Sequence, residues 1–200
     1  MARLRLSGDP EADQLLSTNP LALLIGMVLD QQIPLERAFR SPRDLQERLG
    51  GHLDAQGIAT MAPERLAEVF AQRPALHRFP AANAERAQQL CQVVMAEYGG
   101  DAANIWESAS SGAELLRRVR NLPGFGDQKA RIFVALLGKQ LGVRPPGWQE
   151  ASRPFGEPGT YLSVADITDD ESLAQVRAHK AQLKATARAA AARGAPATRR

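Results

Sequence analysis

Ala113-Glu114-Leu115-Leu116-Arg117-Arg118-Val119-Arg120-Asn121, then Leu122-Pro123-Gly124-Phe125-Gly126, then Asp127-Gln128-Lys129-Ala130-Arg131-Ile132-Phe133-Val134-Ala135-Leu136-Leu137 is the stretch on which the fold turns. Helical apolar spacing on both sides of a Gly-x-Gly link predicts two helices and a tight hairpin, a motif spanning 113–140. Such a hairpin leaves backbone N–H groups at the start of the second helix unpaired and pointing outward. Gly124 and Gly126 are read as positions that permit positive φ and that remove side chains from the path of an incoming phosphate. The helix dipole adds roughly +0.5 charge there, so the hairpin is an anion site. Asp127 at its mouth works against that reading, because a carboxylate competes with phosphate. Pro123 stiffens the turn, and Phe125 is expected to pack between the helices.

Outward from the hairpin the same period persists, and no stretch shows strand alternation bounded by turns, so the chain reads as all-α. Helices are expected over 10–17, from Pro20 to about Gln31, and from Ser41-Pro42 to about Leu49 after a short turn from Pro34 to Phe39. Further helices are expected over 62–72 and 82–97, around Ile105 and Trp106, from Ser110 or Ser111 to Arg120, and from Asp127 to Gln140. The helix after Pro20 is apolar nearly all round and is expected to be central. Residues 142–160, rich in Gly and Pro, are expected to be irregular apart from a turn near Trp148-Gln149-Glu150. A last helix starts near Thr168-Asp169-Asp170-Glu171. The expected domain is 1–183, and the Ala-rich basic segment 184–200 is expected to be disordered.

The chain of 200 residues is 44% hydrophobic and 24% charged, which fits one globular unit with a real core and argues against disordered or collagen-like chains. Its longest apolar run, Leu21 to Leu29, is too short for a bilayer span, and the first residues lack a signal-peptide pattern, so no membrane partner is expected. The single cysteine, Cys91, excludes an internal disulfide and any multi-cysteine metal site. The isoelectric point near 9.4 suggests nucleic acid. However, five uncompensated cations fall in 181–200, which leaves residues 1–180 at −2. The basic signal therefore belongs to the tail.

The Leu122-Pro123-Gly124-Phe125-Gly126-x-x-Lys129-Ala130 frame resembles the helix-hairpin-helix of the HhH-GPD superfamily of base-excision DNA glycosylases. The resemblance extends over about residues 12–142 and is nearest to a small actinobacterial group within it. Leu29-Asp30-Gln31-Gln32-Ile33 resembles the Gln-Gln segment of adenine-mismatch and alkylated-base glycosylases, and Leu76-His77-Arg78-Phe79-Pro80 resembles the family's aromatic loop. The resemblance implies a two-lobed helical fold that binds double-stranded DNA. It further implies a damaged or mismatched base flipped into the cleft between lobes, where its N-glycosidic bond is hydrolysed. The lack of a span or leader pattern places it, as an expectation, in the cytoplasm, as a nucleoid-associated monomer; the single cysteine cannot hold an iron–sulfur cluster, and the resemblance implies no cofactor beyond a monovalent cation held by hairpin carbonyls.

Two family roles fall on unexpected residues. The Schiff-base lysine of bifunctional members corresponds to Gln128, and the nearest lysine, Lys129, is turned about 100° around the helix. This points to base removal without lyase chemistry. The family's aspartate corresponds to Pro146 to Trp148, where no carboxylate stands. Glu150, two residues beyond, and Asp166, which needs 145–160 to be an insertion, are the alternative catalytic acids, with Asp30 next in line. Gln31, Gln32, Leu122, Gly124, Phe125, Gly126, Gln128 and Lys129 are the expected DNA-binding residues, with Trp148 and His77 at the base pocket. A DNA-binding module of this fold that has lost its acid is the competing reading; a non-DNA interaction module is a weaker one.

Overall fold

Asn19 accepts the Ala22 N–H and Pro20 takes the first helical position, so the chain enters its most apolar segment already in helical geometry. In the computed structural model, which describes residues 4–194 and side chains as far as 188, that segment is α2 (Pro20–Leu29). Leu21 through Leu29 are all buried, so α2 is the axis of the fold. Before it lies α1 (Pro10–Thr18), capped by Asp9. After it come α3 (Leu35–Arg48), α4 (Ala55–Thr60), α5 (Pro63–Ala71) and α6 (Pro80–Tyr98). The second half contains α7 (Asn104–Glu107), α8 (Gly112–Arg120), α9 (Asp127–Gln140), α10 (Trp148–Ala151), a 3₁₀ turn (Val164–Asp166) and α11 (Asp170–Gly194). The fold is all-helical, with no strand among the described residues.

Packing sorts these elements into two groups. α2 packs on α1, α3 and α6, while α4 and α5 pack on α6; in the second half α8, α10 and the 3₁₀ turn pack around α9, and α11 packs on the turn. One buried apolar cluster runs through both groups and includes Phe39, Phe70 and Phe133. Cys91 lies fully inside it, and burial pushes its thiol up to about 12.

Three local expectations are revised. α3 is a single helix that runs through Pro42. Proline removes one N–H from the ladder, but Ser41 Oγ donates to the Arg37 and Leu76 carbonyls and Arg43 reaches Asp9, Glu11 and Glu47, so packing carries the helix across the break. α4 is an unexpected helix, started by Asp54 accepting from Gly57 N–H. α11 continues past Lys184 to Gly194 where disorder was expected, a run in which alanine favours helix; residues 195–200 lie outside the described residues.

Candidate nucleic-acid interface and cavity

The hairpin closes through Leu122 N–H to Val119 carbonyl and Phe125 N–H to Leu122 carbonyl. Leu122 and Phe125 are both buried, and the Phe125 ring meets Phe133 edge-on at 5.5 Å. Their side chains therefore hold the hairpin against the core, and only their backbone is left for an outside partner. Gly124 has φ +86°, as expected, and a Cβ there would lie 2.9 Å from Arg86 Cδ. Gly126 differs from the expectation: its φ is −83° in extended backbone, and a Cβ there would meet nothing within 4 Å. The fold does not require glycine at 126.

Helix α9 starts without a side-chain cap. Ala130 N–H donates to the Gly126 carbonyl, while the N–H groups of Asp127, Gln128 and Lys129 have no partner among the described residues. Asp127 is drawn aside. Arg131 donates to it and Arg120 pairs with it, and these guanidiniums, Arg131 first, hold its carboxyl below the usual range. The carboxylate that would repel a phosphate is thus already neutralised.

Beside this helix start is a cavity of about 600 Å³, within the usual range for small-molecule sites. One wall comes from the first group of helices: Met27, Asp30 and Gln31 at the end of α2, and Arg86 of α6. The facing wall is Gly124, Gly126, Asp127, Gln128, Lys129 and Ile132, with Ser163, Val164 and Lys180 alongside; of the two carboxylates, only that of Asp30 has no ion pair among the described residues. Lys129 Nζ donates to the Met27 carbonyl at 2.6 Å and the Val28 carbonyl at 3.3 Å. A cation there suits the negative end of α2 and ties the two walls together. Burial, against the pull of Asp30, brings its amine down to about 8. Burial also raises the Asp30 carboxyl above its ordinary range, opposed by the charges of Lys180 and Lys129.

The other expected site residues fall elsewhere. Glu150 sits on α10 with its side chain 70% exposed, paired with Arg153 at 2.8 Å, and does not line the cavity. Trp148 packs its ring over Gly138, where a Cβ would approach to 2.3 Å, so it fastens α10 to α9 and is not part of the pocket. His77 is buried. Its Nε2–H donates to the Gln31 carbonyl at 2.8 Å, and its Nδ1 accepts from Phe79 N–H and Asn83 Nδ2. It therefore positions the Gln31-Gln32 loop from behind. Gln32 is exposed and has φ +57°, while Gln31 faces the cavity.

Asp166 is buried in a structural role: its carboxylate takes Lys139 Nζ at 2.5 Å and the N–H groups of Leu162 and Ser163. Asp166→Asn is expected to destabilise the fold by about 1–3 kcal/mol, since it leaves the half-buried Lys139 ammonium without its carboxylate and with only Thr160 Oγ1, and to lower the melting temperature by roughly 3–8 °C. Thermal unfolding checks this; an unchanged midpoint would dismiss the structural role. Arg86, Lys180 and Ser163 are cavity residues that the sequence did not single out. Only the phase of Arg86 relative to the α6 stripe hinted at its position. Among the described residues no three His, Cys, Asp or Glu side chains gather to hold a metal, and of the backbone carbonyls from 121 to 125 only that of Leu122 accepts a backbone N–H from outside the regular helices.

No family model and no curated protein matches the chain. Among solved structures, one titled "Structure of a Trapped Endonuclease III-DNA Covalent Intermediate: Estranged-Adenine Complex" is similar at 21% identity, with a TM-score of 0.43. The match covers 62% of this chain and 55% of that one, so the chain spans about half the length of that neighbour.

Proposed function

We propose that the chain is a DNA-repair glycosylase-like protein. In this reading the hairpin holds duplex DNA and the cavity receives a flipped base, whose N-glycosidic bond is hydrolysed without lyase chemistry. The observation that carries the reading is the convergence, at one cavity, of the uncapped α9 start, Gln31, and the carboxylate of Asp30. Phosphate oxygens accept from the free N–H groups of 127–129, and Gly126 leaves the backbone open to them. Asp30 takes over the role expected of Glu150 or Asp166. As the C1′–N bond breaks, the leaving base keeps the bonding pair and takes a proton from solvent. The ionised Asp30 stabilises the positive sugar and accepts the proton of the water that attacks C1′. The placement of Glu150 and Asp166 outside the cavity favours one competitor, a silent DNA-binding module.

The test is a panel of duplexes carrying alkylated, deaminated or oxidised bases. The expected result is release of one class of base that leaves an alkali-labile abasic site, with no strand break by the protein itself. Borohydride should trap no adduct, since Gln128 carries an amide and the Lys129 amine is engaged with two carbonyls. DNA binding without any release would select the silent module; no DNA binding would overturn both.

A further inference from the structure

Helix α11 buries Ser172 and Val176 near its start, and every side chain from Lys180 to Arg188 is exposed. Nothing in the core accounts for a helix that continues so far. Its charge is one-sided: no acid follows Glu171 anywhere in the chain. Lys180, Lys184 and Arg188 recur every four residues, which places them within about 80° of one another around the helix. The row begins at the cavity. Lys180 lines it, and Lys180 and Lys184 both line an adjoining groove shared with Asp30, Ile33 and Glu36.

Several arginines elsewhere are paired: Arg37 with Asp44, Arg43 with Asp9, Arg118 with Glu114, Arg131 with Asp127, and at the start of α11 Arg177 with Glu36. Lys180, Lys184 and Arg188 have no ion pair among the described residues. Three unpaired cations in one row on one exposed face, leading away from the cavity, match an anionic partner of the same extent. From Lys180 to Arg188 the helix rises about 12 Å. That equals the axial rise of three to four nucleotides of one strand.

We infer that α11 is a rail for the phosphate backbone, carrying the strand that flanks the flipped nucleotide away from the cavity along Lys180, Lys184 and Arg188. This rests on the proposed DNA-binding function and names the surface that extends it. The contacts are sequence-independent, since they reach only phosphates.

The experiment is a salt titration of the full chain on a short duplex carrying one tetrahydrofuran abasic-site analogue. Wild type is compared with Lys184→Gln/Arg188→Gln. Both positions are exposed and glutamine is a good helix former, so circular dichroism should be unchanged. Lys180 is left intact because it faces Asp30. Each phosphate contact contributes about 0.9 to the slope of log affinity against log salt, so the variant's slope should be shallower by about 1.8. Over a fourfold rise in salt it should then lose about twelvefold less affinity than wild type. Equal slopes with intact wild-type binding would overturn the rail while leaving the proposed function standing. Failure of the wild type to bind DNA would overturn the function first. If the wild type instead bound vesicles of phosphatidylcholine and phosphatidylserine, and the variant did not, the row would be a lipid-facing surface and the inference would be wrong.

Discussion

Asp30→Asn slows base release by about 10²–10³ while duplex binding is kept or slightly tightened. Removing one well-placed electrostatic partner of a charged transition state costs rates of that order. Binding survives because the substitution deletes a negative charge from a cavity also lined by Arg86, Lys129 and Lys180. A pH profile separates this role from a structural one. The acidic limb of the wild-type rate should lie above that of an ordinary carboxylate, because burial raises the Asp30 carboxyl. The rate falls as pH drops through that raised value and Asp30 gains its proton; the Asn variant should lack the limb. Lys180→Gln should move the limb further upward, since the Lys180 charge opposes the burial effect. A wild-type rate matched by Asp30→Asn would remove Asp30 from the chemistry.

Gly126→Val weakens duplex binding by about 10- to 100-fold with no loss of stability. Losing one or more charge-assisted N–H contacts to phosphate is worth about 1.5–3 kcal/mol. The backbone at 126 is extended, which valine adopts readily, and the space around it is open. Unfolding should occur at the same temperature or somewhat higher, because the unfolded chain loses freedom. Gly124→Ala is the contrast: at φ +86°, with Arg86 2.9 Å from the new Cβ, it strains the hairpin by about 1–2 kcal/mol. Unimpaired binding by a folded Gly126→Val protein would take the hairpin off the interface.

Much of the scaffold was legible because its signals are local. Asn19-Pro20 before nine apolar residues could start only a buried helix, and Gly-x-Gly between two helical runs announced a hairpin with a bare helix start. Pro42 misled because its cost is set against contacts to Asp9 and the Leu76 carbonyl, which no local pattern shows. The carboxylate that lines the cavity was harder still to foresee. Spacing from the hairpin pointed to Glu150, but Trp148 sits on Gly138 and turns that segment outward. Asp166 has the apolar flanks of a buried functional acid, and it is buried, but its partners are Lys139 and its own turn. Asp30 reaches the cavity from a helix about a hundred residues upstream. Sequence spacing around the hairpin carries no information about that approach.

The same separation along the chain gives Lys129 a mechanical meaning. Its ammonium spans from α9 to the last carbonyls of α2, so the gap between the cavity's facing walls is gauged by one side chain acting as a strut. Here the amine is held by the opposite wall, so the reach of one lysine side chain matches the spacing of the two walls.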